Sequence, residues 1–241
     1  MDTTTSEIST AAPVRQRRSL ATALMQGFLV LAVPVLLTLL SVRIVMSPAF
    51  LSFEYNRDWL PLPEDVYGFT REDRLEYAPY AVNYLLNDAG IAYLGDLTFP
   101  DGTPLYNDRE LGHMEDVKVV TRAAFNVLTV GLVLFLGVGM YLWRVDRVAL
   151  RRGLFTGSFL TLTLIGVIVV SAVLAWDVFF TAFHQVFFES GTWRFAYSDT
   201  LIRLFPERFW FDAAIIIGLL TSGGALLILW FTRWSAQQQG E

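Results

Sequence analysis

Residues 107–143 read NDRELGHMEDVKVVTRAAFNVLTVGLVLFLGVGMYLW. From Ala123 to Trp143 no charged residue appears, and the run matches the roughly 20 helical residues that a hydrocarbon core requires. The polar stretch before it carries Asp108, Glu110, Glu115, Asp116, Arg109, Lys118 and His113. Asn107 is a helix N-cap residue, and Glu110 stands three positions on, where a capping box places its carboxylate. No breaker follows except Gly112, so one helix is expected to run from the polar part straight into the apolar part. A membrane helix with an ionisable extension at its mouth sets the frame for the rest of the chain.

The composition agrees with that frame. Of the 241 residues, 54% are hydrophobic and 17% charged, against about 25% charged in soluble domains. Mean hydropathy is +0.46. Three further stretches, 20–46, 154–176 and 213–232, are long and apolar enough to span, and with 122–143 they predict four transmembrane helices. The first carries Pro34, where it is expected to kink. It is too long for a signal-peptide core of about 7–15 residues and has no small-x-small cleavage site after it, so it reads as an uncleaved span.

Arginines set the orientation. Arg15, Arg17 and Arg18 precede the first span, Arg144, Arg147, Arg151 and Arg152 fill the short loop 144–153, and Arg233 follows the last span. By the positive-inside rule these regions are cytoplasmic, as are the tails 1–19 and 233–241. The tail's first residues, MDTTTSEISTAAP, are small and polar, which predicts disorder. Residues 47–121 and 177–212 then lie outside. The expected fold is an all-α integral membrane protein with four spans and an extracellular, partly helical cap.

Within the cap, TREDRLEYAPYAVNYLLND (70–88) predicts a helix, with Thr70 as N-cap and Asp73 three residues on. Pro79 is expected to bend or split it. The third span is expected to continue outward through WDVFFTAFHQVFF (176–188). There Asp177, Phe180, Thr181, His184, Phe187 and Phe188 follow helical spacing and share one face.

The chain has two histidines, His113 and His184. Each falls within a turn or two of the outer end of a span, and the second and third spans, joined by a short loop, should be antiparallel neighbours. That brings both imidazoles to one side and one depth. Imidazole both gives and takes a proton near neutral pH. An acid and a base paired at a lipid–water boundary point to acyl chemistry on a lipid. Glu110 and Asp116 share a helix face with His113, so a carboxylate stands ready to fix its tautomer. Lys118 lies on another face of that helix.

Other chemistries lack their residues. Cysteine is absent, which removes disulfides, thiol nucleophiles and cysteine metal sites. No G-x-S-x-G elbow, H-E-x-x-H zinc motif, P-loop or dinucleotide glycine pattern occurs. No metal, cofactor or nucleic-acid partner is expected, although two histidines with carboxylates leave a metal site open. The spans carry almost no charge apart from Arg43 and Asp177, which argues against an ion pathway. The competing reading is a non-enzymatic membrane protein whose cap binds a lipid or a partner protein.

NDRELGHMEDVK before one span, FHQVFF after the next, and LIRLFPERFWFDA (201–213) leading into the last resemble the lipoprotein intramolecular transacylase family, Lit. The resemblance spans roughly residues 20–232. It implies a bacterial cell-membrane enzyme that moves an acyl chain within a diacylated lipoprotein. The chain would pass from the sn-2 glyceryl ester to the α-amino group of the N-terminal cysteine, leaving the lyso form. It also implies that His113 and His184 are the catalytic pair. On the chemistry, His113 with Asp116 beside it is assigned as base and His184 as acid. Phe180, Phe183, Phe187, Phe188 and Trp193 would form a water-poor pocket, and Asn107, Lys118 and Arg203 are the candidate oxyanion donors.

Overall fold

The computed structural model describes residues 19–189 and 191–237, the side chains of 234–237 excepted. The expected disordered tail, apart from Ser19, and the last four residues lie outside the described part. The helices are α1 (Leu20–Val45), α2 (Pro48–Asn56), α3 (Arg71–Leu86), α4 (Ala92–Gly95), α5 (Asp108–Val145), α6 (Arg147–Leu174), α7 (Trp176–Phe187), α8 (Thr200–Leu204) and α9 (Glu207–Gln237). Among the described residues the only β pairing is an isolated bridge between Thr98 and Pro104. Helices α1, α5, α6 and α9 are long and apolar enough to cross a membrane.

These four form a bundle in which α1 meets each of the other three. Lipid tails are as apolar as leucine, so burial alone does not hold membrane helices together and close backbone approach matters more. Gly153 and Gly157, one turn apart on α6, supply it. A Cβ at Gly157 would stand 3.0 Å from the Cβ of Val33 and 3.1 Å from the carbonyl of Val30, and one at Gly153 would stand 3.1 Å from Leu29. Buried hydroxyls add short polar ties. Thr161 donates to the carbonyl of Gly157 at 2.8 Å, and the hydroxyls of Thr221 and Ser41 join α9 to α1 at 3.0 Å.

At one end of the bundle α2, α3, α4, α8 and the first turns of α5 pack around a shared core that includes Leu51, Ala78, Tyr84, Leu94, Leu105, Met114 and Leu204. Thr70 and Asp73 form the expected capping box on α3, as do Asn107 and Glu110 on α5. Of the two outcomes expected at Pro79, splitting does not occur, and α3 runs through it. Ala78, Ala81, Val82 and Tyr84 are buried around it, and that packing carries the helix past one missing backbone bond. The layer is pinned by buried polar contacts. The Tyr55 hydroxyl donates to the carbonyl of Leu204 at 2.9 Å, and buried Arg57 pairs with Glu54 at 2.7 Å and with Asp212 at the start of α9.

The third span does not run on through His184 as one helix. It ends at Leu174, and α7 begins at Trp176 after Ala175 adopts φ −150°, ψ 64°. No glycine or proline marks the break. Helix α5, in contrast, is continuous over its 38 residues. Its first residues, up to Arg122, form about four turns beyond the apolar run and belong to the end layer.

Candidate active site

The capping box that starts α5 also fixes where His113 stands. Glu110 is 1% exposed, and its carboxylate accepts the backbone N–H of Asn107 at 2.8 Å and that of Leu201 at 2.6 Å. One carboxylate therefore ties the first turn of α5 to the first turn of α8. One turn further along α5, His113 is half-buried, with Phe188 edge-on at 5.1 Å and Phe195 at 5.3 Å between ring centroids.

His184 reaches the same place from α7. Its ring lies 4.1 Å from Phe180, 5.6 Å from Phe183, 5.8 Å from Phe188 and 4.7 Å from Trp193. Phe188 touches both histidines, so the two imidazole centroids are separated by no more than the sum of their distances to its ring. The structure thus brings the two histidines to one aromatic site between the end layer and the bundle. Phe180 and Phe188 are half-buried and Trp193 is buried, whereas Phe183 and Phe187 are about half exposed on the outer side of α7. Asp177 is also exposed, so the face expected from spacing holds for Phe180, Thr181, His184 and Phe188 only.

Both histidines stand outside the spans, and both are held below the ordinary imidazole pKa. Burial lowers His113 to about 4, and the neighbouring His184 pushes in the same direction. Burial lowers His184 as well, opposed by its bond to the backbone of Phe180. That bond joins Nδ1 of His184 to the carbonyl oxygen of Phe180 at 2.8 Å. A carbonyl oxygen only accepts, so Nδ1 carries the proton and Nε2 of the neutral ring presents a free lone pair. In His113 the Nδ1 atom is buried with no hydrogen-bond partner.

The other expected contributors are placed differently. Asp116 is exposed and acts on His113 only through its charge, more weakly than burial and His184 do. Lys118 is buried toward the α3–α4 loop, where it bonds to Asn87 at 3.3 Å and to the carbonyl of Ala89, with Tyr84 under its ammonium. Arg203 pairs with Asp65 at 2.9 Å and stacks over Phe69, and Asn107 reaches Asp199 at 3.3 Å. Among the described residues no group of three His, Cys, Asp or Glu could hold a metal ion.

Known proteins share this fold. The family model of the lipoprotein intramolecular transacylase Lit matches residues 27–210. The chain belongs to the Lit family. An uncharacterized protein of Aquifex aeolicus is 32% identical over 201 residues, covering 83% of this chain and 89% of that protein. The membrane-integral lipoprotein intramolecular transacylase Lit of Bacillus cereus, solved in meso, superposes with a TM-score of 0.76 at 21% identity, over 91% of this chain and 97% of its own. A histidine-to-arginine variant of that protein superposes with a TM-score of 0.69 at 20% identity. Family membership makes this a membrane protein of a transacylase class that acts on lipoproteins.

Three features of this Lit chain escape a reading of spacing. Phe195 closes the site against His113 from the loop between α7 and α8, and no periodicity ties it to either helix. The Arg57–Asp212 pair joins positions far apart in the chain. The free Nε2 of His184 is likewise settled by a backbone contact, which its place on α7 allows but residue type does not announce.

Proposed function

We propose that this protein transfers an acyl chain within a diacylated lipoprotein, from the sn-2 glyceryl oxygen to the α-amino group of the N-terminal cysteine. The observation that carries the reading is the meeting of His113 and His184 across Phe188 in an aromatic site at the mouth of the bundle. An α-amine has a pKa of about 7.7–8.0 and must lose a proton to attack. The free Nε2 of His184 favours this residue as the base, the reverse of the assignment expected from Asp116. The amine nitrogen bonds to the ester carbonyl carbon and its proton passes to His184. The tetrahedral intermediate then collapses, the bond from carbon to the glyceryl oxygen breaks, and that oxygen takes up the proton. His113 suits the donor role at this step, because a group held near pKa 4 is a strong acid once the proton reaches it.

No proton is gained or lost overall, and no external donor is needed, because both reacting groups sit on one molecule. Holding them together supplies much of the acceleration. The ring of Phe180, Phe188, Phe195 and Trp193 keeps water from competing with the amine. The substrate's acyl chains would lie in the lipid beside α7, and the outward orientation of the end layer would match where lipoproteins are anchored.

Co-expression with a diacylated reporter lipoprotein tests this. Conversion to the N-acyl, S-monoacylglyceryl form should leave total mass unchanged while fragments of the N-terminal peptide reveal the moved chain. His113→Ala and His184→Ala should each lower conversion by about 10²–10⁴-fold, and the double substitution should be little worse. Loss of a chain to water would make the protein a lipase instead. No movement of any chain would favour a lipid-binding role.

A further inference from the structure

Three orphans of the reaction above need a partner: the amine proton, the leaving glyceryl oxygen and the carbonyl oxygen that becomes negative. The two histidines serve the first two. The third has no donor among the residues expected for it, since Lys118, Arg203 and Asn107 are all engaged in holding the end layer together.

Two buried polar atoms of this site lack a hydrogen-bond partner, Nδ1 of His113 and Nε1 of Trp193. Trp193 is 8% exposed and its ring lies 4.7 Å from His184. A phenylalanine would fill most of that space, as Phe180 does beside it and as Phe188 and Phe195 do against the histidines. The indole instead brings an N–H that can only donate, and burying such a donor unpaired is costly. Its loop is shaped to hold it there. Gly191 takes φ +95°, a conformation open to glycine, in the turn where the N–H and hydroxyl of Thr192 both bond to the carbonyl of Glu189. The Arg194 guanidinium lies over the indole ring at 5.2 Å, which draws electron density from the ring and strengthens its N–H as a donor.

We propose that Trp193 is the oxyanion donor of this site, its indole N–H bonding the carbonyl oxygen of the substrate's sn-2 ester as the amine attacks. The nitrogen–carbon bond forms as the carbonyl π pair moves onto that oxygen, where the indole meets the growing charge. The pair returns as the carbon–oxygen bond to glycerol breaks, and the released oxygen takes the amine's proton from the histidine pair. The base and acid cannot take this third role without giving up their own. The inference rests on the transacylase reading, and its test separates the two.

The probe is a diacylglyceryl-cysteine peptide whose α-amine is acetylated, so that it binds but cannot react. In indole-¹⁵N-labelled protein in lipid nanodiscs, the one of the seven tryptophan indoles that disappears in W193F is assigned to Trp193. Its proton should move downfield on adding the probe. In turnover of the reactive peptide, W193F should lower kcat about 10²–10³-fold with KM little changed and the thermal midpoint retained. Benzothienylalanine at 193, which keeps the ring shape but replaces N–H by sulfur, should behave as W193F does. Full kcat in either variant, or an indole resonance that ignores the probe, overturns the proposal. Should W193F not fold, the benzothienylalanine variant, which also removes the indole N–H, assigns the resonance, and its response to the probe in the unaltered protein decides. If the unaltered protein moves no acyl chain while the indole still responds, the transacylase reading fails and Trp193 stands as an ester-binding donor.

Discussion

An imidazole held below pH 6.5 by its surroundings is neutral at physiological pH, and a neutral ring is what a proton-transfer pair needs at rest. Both histidines are in that state because aromatic rings replace water around them. As pH falls from 6.5 toward 4 an unfolded chain takes up its protons before the native His113 does, so the fold loses stability across that window. With two histidines in the chain, selective ¹³C labelling yields two ring signals. His113 is expected to report a neutral ring at pH 6.5 and to titrate near 4, and His184 to titrate below the ordinary imidazole midpoint. Phe188→Ala should admit water to both rings and move the His113 midpoint up toward 6.5. A His113 signal already half-titrated at 6.5 in the unaltered protein would remove the acid strength assigned to it. The pair itself was legible in the sequence, because a histidine near a span end stands out against apolar neighbours. Which ring nitrogen is free was not, since that depends on the Phe180 carbonyl.

Helices locate these residues, and the contacts between helices are where substitution should be felt. At Gly157 any Cβ must push against Val33 or the Val30 carbonyl, so Gly157→Ala should lower the thermal midpoint in detergent. Gly166, on the same helix, has nothing within 4 Å of a Cβ. There Gly166→Ala should be neutral or stabilise by up to about 1 kcal/mol through helix propensity. Equal effects at the two sites would mean that α1 and α6 do not approach as described. Glu110→Ala tests another join, since it removes the acceptor for the buried N–H of Leu201 and for that of Asn107. A loss of about 2–4 kcal/mol in unfolding free energy is expected. Helix starts were readable because caps are local chemistry, as at Thr70 and Asn107. The break at Ala175 was not, and the choice between bending and splitting at Pro79 stayed open, because tertiary packing sets both.

At the scale of the whole molecule, four apolar helices were plain from hydropathy, while the closure of the end layer was not. Pairs such as Arg57–Asp212 and Tyr55–Leu204 join segments that only the bundle brings together. The same bundle allows two orientations in a membrane, and charge decides between them. Seven arginines precede the first span or fill the loop between the second and third, whereas residues 47–121 carry many acids. Translocating those arginines is disfavoured, so both termini and that loop should be cytoplasmic and the histidine site should face outward. The chain has no cysteine, so single introduced cysteines read the topology directly. Asp101 is exposed in the end layer and Val148 is exposed near the arginine-rich loop. In right-side-out spheroplasts a membrane-impermeant maleimide should label Asp101→Cys at once and Val148→Cys only after permeabilisation. The opposite pattern would turn the site toward the cytoplasm, away from lipoproteins held on the outer leaflet, and the proposed substrate would then have no route to the two histidines.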